Sequence, residues 1–309
     1  MTTRKFRFGV LQRSAPSRAE WRDLARRAED LGYSTFLVSE HFLAQFAMGP
    51  ALVAAAEATT TLRLGSMVYD VDFRHPAVLA KEVATIDLLT DGRFELGLGA
   101  GWMLSDYEQT GIPFDPPRVR AERFEETLAI LKGLFDSQPL TCQGKHFHIE
   151  GLNGLPKPLQ RPHMPILVGA GGPRMLRFAA READIVSVLM QSLPGGGLDW
   201  AHASSALFDQ KLEWVREAAG LRYSDLEINL LMQKAVVTTN RQAAAKDLGG
   251  LWDIPPEAVL DCPLALLGTP DQMVDELQAR RDRWDASYIC VFAEAMEAFA
   301  PVVRQLAGR

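Results

Sequence analysis

The stretch Phe94-Glu-Leu-Gly-Leu-Gly-Ala-Gly-Trp102 decides how the chain is read. Phe94, Leu96 and Leu98 alternate with Glu95, Gly97 and Gly99, the period of a strand. The strand then empties into glycines and a tryptophan. Glycine gives up side-chain packing in a strand, so a run of it marks the close approach of backbone or ligand. A second strand, Pro165-Ile-Leu-Val168, also ends in glycines, at Gly169, Gly171 and Gly172. Two strand ends that open into glycine-rich mouths point to one concave site.

Outward from this stretch, strands and helices alternate. Strand patterns cover Phe6–Leu11, Thr35–Ser39, Leu62–Tyr69, Ile166–Val168, Asp184–Leu189, Leu226–Gln233 and Tyr288–Phe292. Helical patterns follow them. One opens at the capping box Ser17-Arg-Ala-Glu20 and stops at Gly32. Others span Pro50–Thr59, Pro76 to Asp91-Gly92, Arg118–Phe135, a stretch from Pro173, Trp200–Ala219 and Ala295–Leu306. Residues 240–261 hold one or two short helices, and Thr269-Pro-Asp-Gln272 is a second capping box opening a helix to about Trp284. Each crossover between parallel strands needs a helix, and this count closes at eight. The expectation is a single (β/α)8 TIM barrel over residues 1–309. An insertion after the fourth βα unit, about 139–163, holds a hairpin turning at Gln143-Gly144 and a proline-rich linker, and is expected over one end of the barrel.

Composition bounds the function. Hydrophobic residues make 47% of the 309 and charged residues 23%, which suits a globular protein with an ample core. A net charge of -6 without a long basic run argues against nucleic acid as the partner. Cys142, Cys262 and Cys290 are far apart, as reduced thiols would be. No apolar run approaches the ~18 residues of a membrane span, so the expected setting is the cytoplasm, with a small-molecule substrate and no membrane.

Active sites of such barrels lie at the C-terminal strand ends. Glu40-His41 stands there, an acid beside an imidazole able to give or take a proton. His75, before Pro76, shapes a loop; His146 and His148 share a strand face but have no third ligand at metal spacing, so no metal is expected. Gly171-Gly172-Pro173-Arg174 is the best anion site, with glycines, a helix start and a cation. Met67, Met190 and Met232 stand at strand ends. Gly97-x-Gly99-x-Gly101 is no dinucleotide fingerprint, because the third required glycine falls on Trp102.

These residues resemble a known family. Ser39-Glu-His-Phe42, Leu64-Gly-Ser-Met-Val68, Phe73-Arg-His-Pro76, Gly92-Arg-Phe-Glu-Leu-Gly-Leu-Gly-Ala-Gly-Trp102, Gly111-Ile-Pro-Phe114, Ile166–Arg174 and Gly268–Gln272 follow in the order of the luciferase-like monooxygenase superfamily, nearer its coenzyme F420-dependent oxidoreductase branch. The resemblance implies hydride transfer between F420, a deazaflavin, and a small organic substrate; the alternatives are an FMN-dependent monooxygenase and a non-catalytic flavin-binding protein. It implies a non-proline cis bond at Met67–Val68 under the ring, and a cofactor phosphate at Gly171-Gly172. His41 and Glu40 would line the reacting face as catalytic residues. Ser39, Met67, Val68, Ala100, Gly101, Trp102, Gly171, Gly172, Arg174 and Met190 would contact the cofactor, with Gly99 and Gly101 as the floor beneath its ring. Many deazaflavin members carry Asp where Glu40 stands. A sugar-phosphate dehydrogenase branch carries a glutamate acid where Trp102 stands, so that substrate is not expected here. By analogy with the family, a homodimer is expected.

Overall fold

The computed structural model describes residues 4–193, 195–200 and 203–309. β1 (Arg7–Gln12), β2 (Thr35–Val38) and β3 (Arg63–Ser66) lie side by side, and β3 resumes as the short β4 (Tyr69–Asp70) beyond a break at Met67–Val68. β5 (Phe94–Gly99) follows. The antiparallel pair β6 (Leu140–Gln143) and β7 (His148–Leu152) stands outside the ring. β8 (Ile166–Ala170), β9 (Ile185–Val188) and β10 (Glu227–Leu231) rejoin it. β11 (Lys234–Val237) and β12 (Ala265–Gly268) pair only with each other, and β13 (Ala286–Phe292) closes on β1. The ring β1-β2-β3-β5-β8-β9-β10-β13 is parallel throughout, a closed eight-stranded (β/α)8 barrel.

Helices α1 (Arg18–Asp30), α2 (Met48–Ala56), α3 (Pro76–Leu89), α4 (Leu104–Thr110), α5 (Pro117–Phe135), α6 (Pro173–Glu182), α7 (Ser205–Ala219), α8 (Arg241–Trp252), α9 (Pro256–Asp261), α10 (Pro270–Trp284) and α11 (Met296–Leu306) surround it. No helix among the described residues is long and apolar enough to cross a membrane. The period-two pattern splits each strand between two cores. Val10, Phe36, Val168 and Val291 face the helices, while Leu11, Leu37, Leu167 and Cys290 fill the barrel interior with Met67, Ile185, Leu231 and Tyr288. Thr269 and Gln272 form the complete capping box; at Ser17 only half of it forms, because Glu20 reaches the Ser17 hydroxyl and not its backbone.

The barrel's N-terminal end is sealed by charge. Arg7 donates to Glu95 at 2.7 Å and to Glu227 at 2.6 Å, and its guanidinium lies 3.6 Å from the Tyr288 ring centroid. Arg63 donates to Glu95 at 2.6 Å.

Four readings change. Leu62–Tyr69 is not one strand, because the chain bulges at Met67–Val68 between β3 and β4. α4 and the β11–β12 pair had no clear period in so few residues. The next helix begins at Ser205, and residues 201–202 of the expected Trp200–Ala219 helix lie outside the described residues. The insertion covers one end only with its linker. Its hairpin climbs the outer flank of α5, where the Glu126 carboxylate accepts the N–H groups of Lys145, His146 and Phe147 at 2.9–3.2 Å. The linker then returns beneath the barrel, where Gln160 Nε2 donates to Phe94 O at 2.8 Å.

Candidate active site

The glycines of β5 make room for the neighbouring strand. A Cβ on Gly97 would lie 2.0 Å from Ser66 O, and one on Gly99 2.6 Å from Val68 Cγ2. The Ser66 hydroxyl replaces the ladder at this point, accepting from Gly97 N at 2.7 Å and donating to Gly97 O at 2.9 Å. The bulge so accommodated carries the cis Met67–Val68 bond that the resemblance implied. Gly101 has φ +73, and a Cβ there would meet the Tyr107 hydroxyl at 1.8 Å and Asp70 Oδ2 at 2.6 Å. The close approach at Gly99 is thus to Val68, and at Gly101 to Tyr107 and Asp70. The apolar surface that closes the barrel at its C-terminal end is made by Met67, Val68, Leu11, Leu189 and Phe292.

His41 and Asp106 meet above that floor. β2 delivers His41 to the rim, and α4, which follows β5, delivers Asp106. His41 Nδ1 lies 2.6 Å from Asp106 Oδ2, and Phe42 N donates to Asp106 Oδ1 at 3.0 Å. The His41 side chain is 19% exposed and that of Asp106 4%. The Trp102 ring stands edge-on to the imidazole, with centroids 5.7 Å apart. Held at Nδ1, the imidazole has Nε2 left for a bound molecule.

Glu40 is tied into the scaffold beside His41. Arg74 grips both carboxylate oxygens, and Asp70 N donates to Oε2 at 3.0 Å. Burial pushes the Glu40 carboxyl up, against the pull of Arg74. The residue ties the end of β2 to β4. Ser39 is tied similarly, its hydroxyl donating to Gln45 at 2.8 Å.

Behind this pair sits a group of acids. The Tyr107 hydroxyl lies 2.8 Å from Asp70 Oδ2 and 3.0 Å from Asp72 Oδ2. It has a single hydrogen and can donate to only one of them. The other contact needs a hydrogen on the acid. Asp72 is held by Arg123 through both oxygens, at 2.6 and 3.0 Å, so the hydrogen belongs on Asp70. Burial pushes the Asp70 carboxyl up to about 7, which agrees.

The remaining residues divide. Gly172 is the N-cap of α6, no side chain caps that helix, and a Cβ on Gly172 would meet open space. The free N–H groups of such a terminus suit an anion. Gly171 packs against the chain, since its Cβ would lie 2.0 Å from Met190 O. Arg174 is held by Glu125 at 2.9 Å and does not stand as a free cation. Ala100 and Gly101 present their carbonyls to the buried Arg120, at 3.4 and 2.6 Å. The Met190 side chain lies in the helix-facing core and not at the mouth. A turn after β9 leans on the same rim, with Gly196 near Leu104 and Trp102 O. His75 caps α3, accepting from Ala77 N at 3.2 Å, and His146 faces Glu122 at 3.8 Å.

Sequence reading missed Asp106, Tyr107 and the role of Arg74. A carboxylate four residues after Trp102, in a strand-end connection, was the available signal for Asp106.

The family model described as luciferase-like monooxygenase matches residues 3–248. An F420-dependent glucose-6-phosphate dehydrogenase of Intrasporangium calvum is 32% identical over 169 residues, 51% of this chain and 50% of the relative. The chain thus spans about half the length of the curated relatives it matches first. A protein of the same description from Nakamurella multipartita is 28% identical over 300 residues, 91% of this chain and 84% of that one. Among solved structures, an F420-dependent secondary alcohol dehydrogenase in complex with an F420-acetone adduct superposes with a TM-score of 0.77 at 18% identity, covering 98% of both chains. At that identity the likeness speaks for the fold.

Proposed function

The chain belongs to the luciferase-like monooxygenase family, and from that premise we propose that it moves hydride between coenzyme F420 and a small organic substrate. The observation that carries this reading is His41, oriented by Asp106 at the mouth of a barrel whose relatives are described as F420-dependent dehydrogenases. The cofactor would supply the hydride chemistry, and the chain supplies binding, orientation and electrostatics. The uncapped start of α6 at Gly172 would hold an anionic group of the cofactor. Met67 and Val68 form the apolar shelf beneath a flat ring, and Trp102 walls the space beside His41. His41 Nε2 takes the hydroxyl proton as an alcohol is oxidised, or returns it as a carbonyl is reduced. Glu40 acts as an anchor through Arg74 and not as a proton carrier.

Titrating the purified protein separately with F420 and with FMN tests the proposal. Binding of F420 with Kd on the order of micromolar is expected. FMN binding at that level with no binding of the deazaflavin overturns it in favour of a flavin monooxygenase.

A further inference from the structure

We propose that Asp106 is a positioning residue that fixes the tautomer of His41, with the hydrogen on Nδ1 and the lone pair of Nε2 offered to the substrate. The proposal rests on reading His41 as the proton-handling group. A carboxylate only accepts hydrogen bonds. Asp106 Oδ1 already accepts the Phe42 N–H at 3.0 Å, and Oδ2 lies 2.6 Å from His41 Nδ1, so Nδ1 must be the donor. Two further contacts hold the carboxylate in place. The adjacent Tyr107 is anchored on Asp70 and Asp72, and the Thr110 hydroxyl closes the short α4 on Asp106 O at 2.7 Å. Trp102, edge-on at 5.7 Å, borders the ring on the mouth side.

The consequence is chemical. In oxidation of an alcohol, the O–H bond breaks and its proton passes to Nε2. The C–H bond breaks with its electron pair, and the oxidised cofactor, when bound, would accept the hydride. In the reverse direction the imidazolium returns the proton from Nε2. Oxidation needs the lone pair of neutral His41 on Nε2, which the contact at Nδ1 enforces; reduction starts from the imidazolium and leaves that same tautomer behind.

The contact from Phe42 makes the test sharp. In Asp106→Asn the Phe42 N–H still requires an oxygen partner, so the amide oxygen must face Phe42 and the amide NH2 must face His41. Nδ1 then becomes an acceptor, and the hydrogen moves to Nε2. Long-range 1H–15N spectra of the cofactor-free chain, at a pH where the ring is neutral, report the tautomer of each of its 6 histidines. Loss of signals in His41→Ala assigns His41. The wild type should show Nδ1–H, and Asp106→Asn should exchange the two nitrogen shifts while the other five rings stay unchanged. Nε2–H in the wild type, or an unchanged tautomer in the variant, overturns the proposal. The wild-type spectrum decides even if the variant fails to fold. Failure to bind F420 would leave this result standing and remove only the cofactor assignment.

Discussion

At the N-terminal end of the barrel, Arg7 and Arg63 face Glu95 and Glu227, cation matched to anion in one closed set. At the C-terminal end, Glu40, Asp70, Asp72 and Asp106 face Arg74, Arg123 and His41. Burial pulls the Arg7 guanidinium down, and Glu95 and Glu227 overcome it, leaving it well above its ordinary value. At the other end burial pushes the Glu40 and Asp70 carboxyls up; Arg74 does not restore Glu40, and the neighbouring Asp72 and Glu40 raise Asp70 further. The same strands therefore end in a neutralised plug below and in unevenly matched acids above. Such mismatch is a hallmark of sites that handle protons.

The contrast predicts that damage below costs stability and damage above costs function. Arg7→Met leaves Glu95 with Arg63 alone and deprives Glu227 of the three hydrogen bonds at 2.6, 2.8 and 3.0 Å. Removing one partner of a buried pair costs ~3–5 kcal/mol. Chemical denaturation should read that loss, while cofactor affinity of the folded fraction stays within ~2-fold because the plug lies at the opposite end of the barrel. Affinity falling in step with stability would erase the division between the ends.

A smaller effect is expected from Gly101→Ala, at the mouth. Its φ of +73 costs an L-residue ~1–2 kcal/mol. The added Cβ also collides with the Tyr107 hydroxyl and Asp70, so α4 must shift. A stability loss of ~2–3 kcal/mol is expected, within the usual range for strain plus overpacking. Unlike Arg7→Met it should also disturb His41, visible as a change in the His41 ring signals. An unperturbed His41 would detach α4 from the site.

The unequal legibility of the two ends has the same physical origin. Alternating apolar residues at Phe94–Leu98 and eight strand–helix repeats gave the barrel, because period two is a local property of the chain. The strand-end position of His41 was readable for the same reason. Its partner Asp106 lies 65 residues away on a short helix, and nothing local joins them. The glycines of β5 announced a close approach correctly, but periodicity cannot say what approaches. In the folded chain it is the bulge at Ser66–Val68 that approaches Gly97 and Gly99. Arg174 and Glu40 were read as free charges because Glu125 and Arg74 come near them only in the folded chain.

Asp70→Asn gives the smallest effect and tests the mouth most directly, because it should remove the mismatch without removing a contact. The groups facing Asp70 are Asp72 and the Tyr107 hydroxyl, with Glu40 on its backbone N–H and Arg123 and Arg74 beyond the acids. Its folded carboxyl titrates at about 7, above the ordinary value of 3.8. Between those values the native chain keeps a proton that the unfolded chain gives up. Stability from this group is therefore full below about 4, falls as pH rises, and is lost above about 7. Asparagine reproduces the protonated acid: its oxygen accepts from Asp72 N, as Oδ1 now does at 3.0 Å, and its NH2 donates to Tyr107. Thermal unfolding should show the variant nearly unchanged at pH ~4 and more stable at pH ~8, where each change of about 1 kcal/mol is worth ~2–4 °C. Equal shifts at both pH values would mean that Asp70 carries no extra proton, and that the acids at the mouth are as well matched as Glu95 and Glu227 at the N-terminal end.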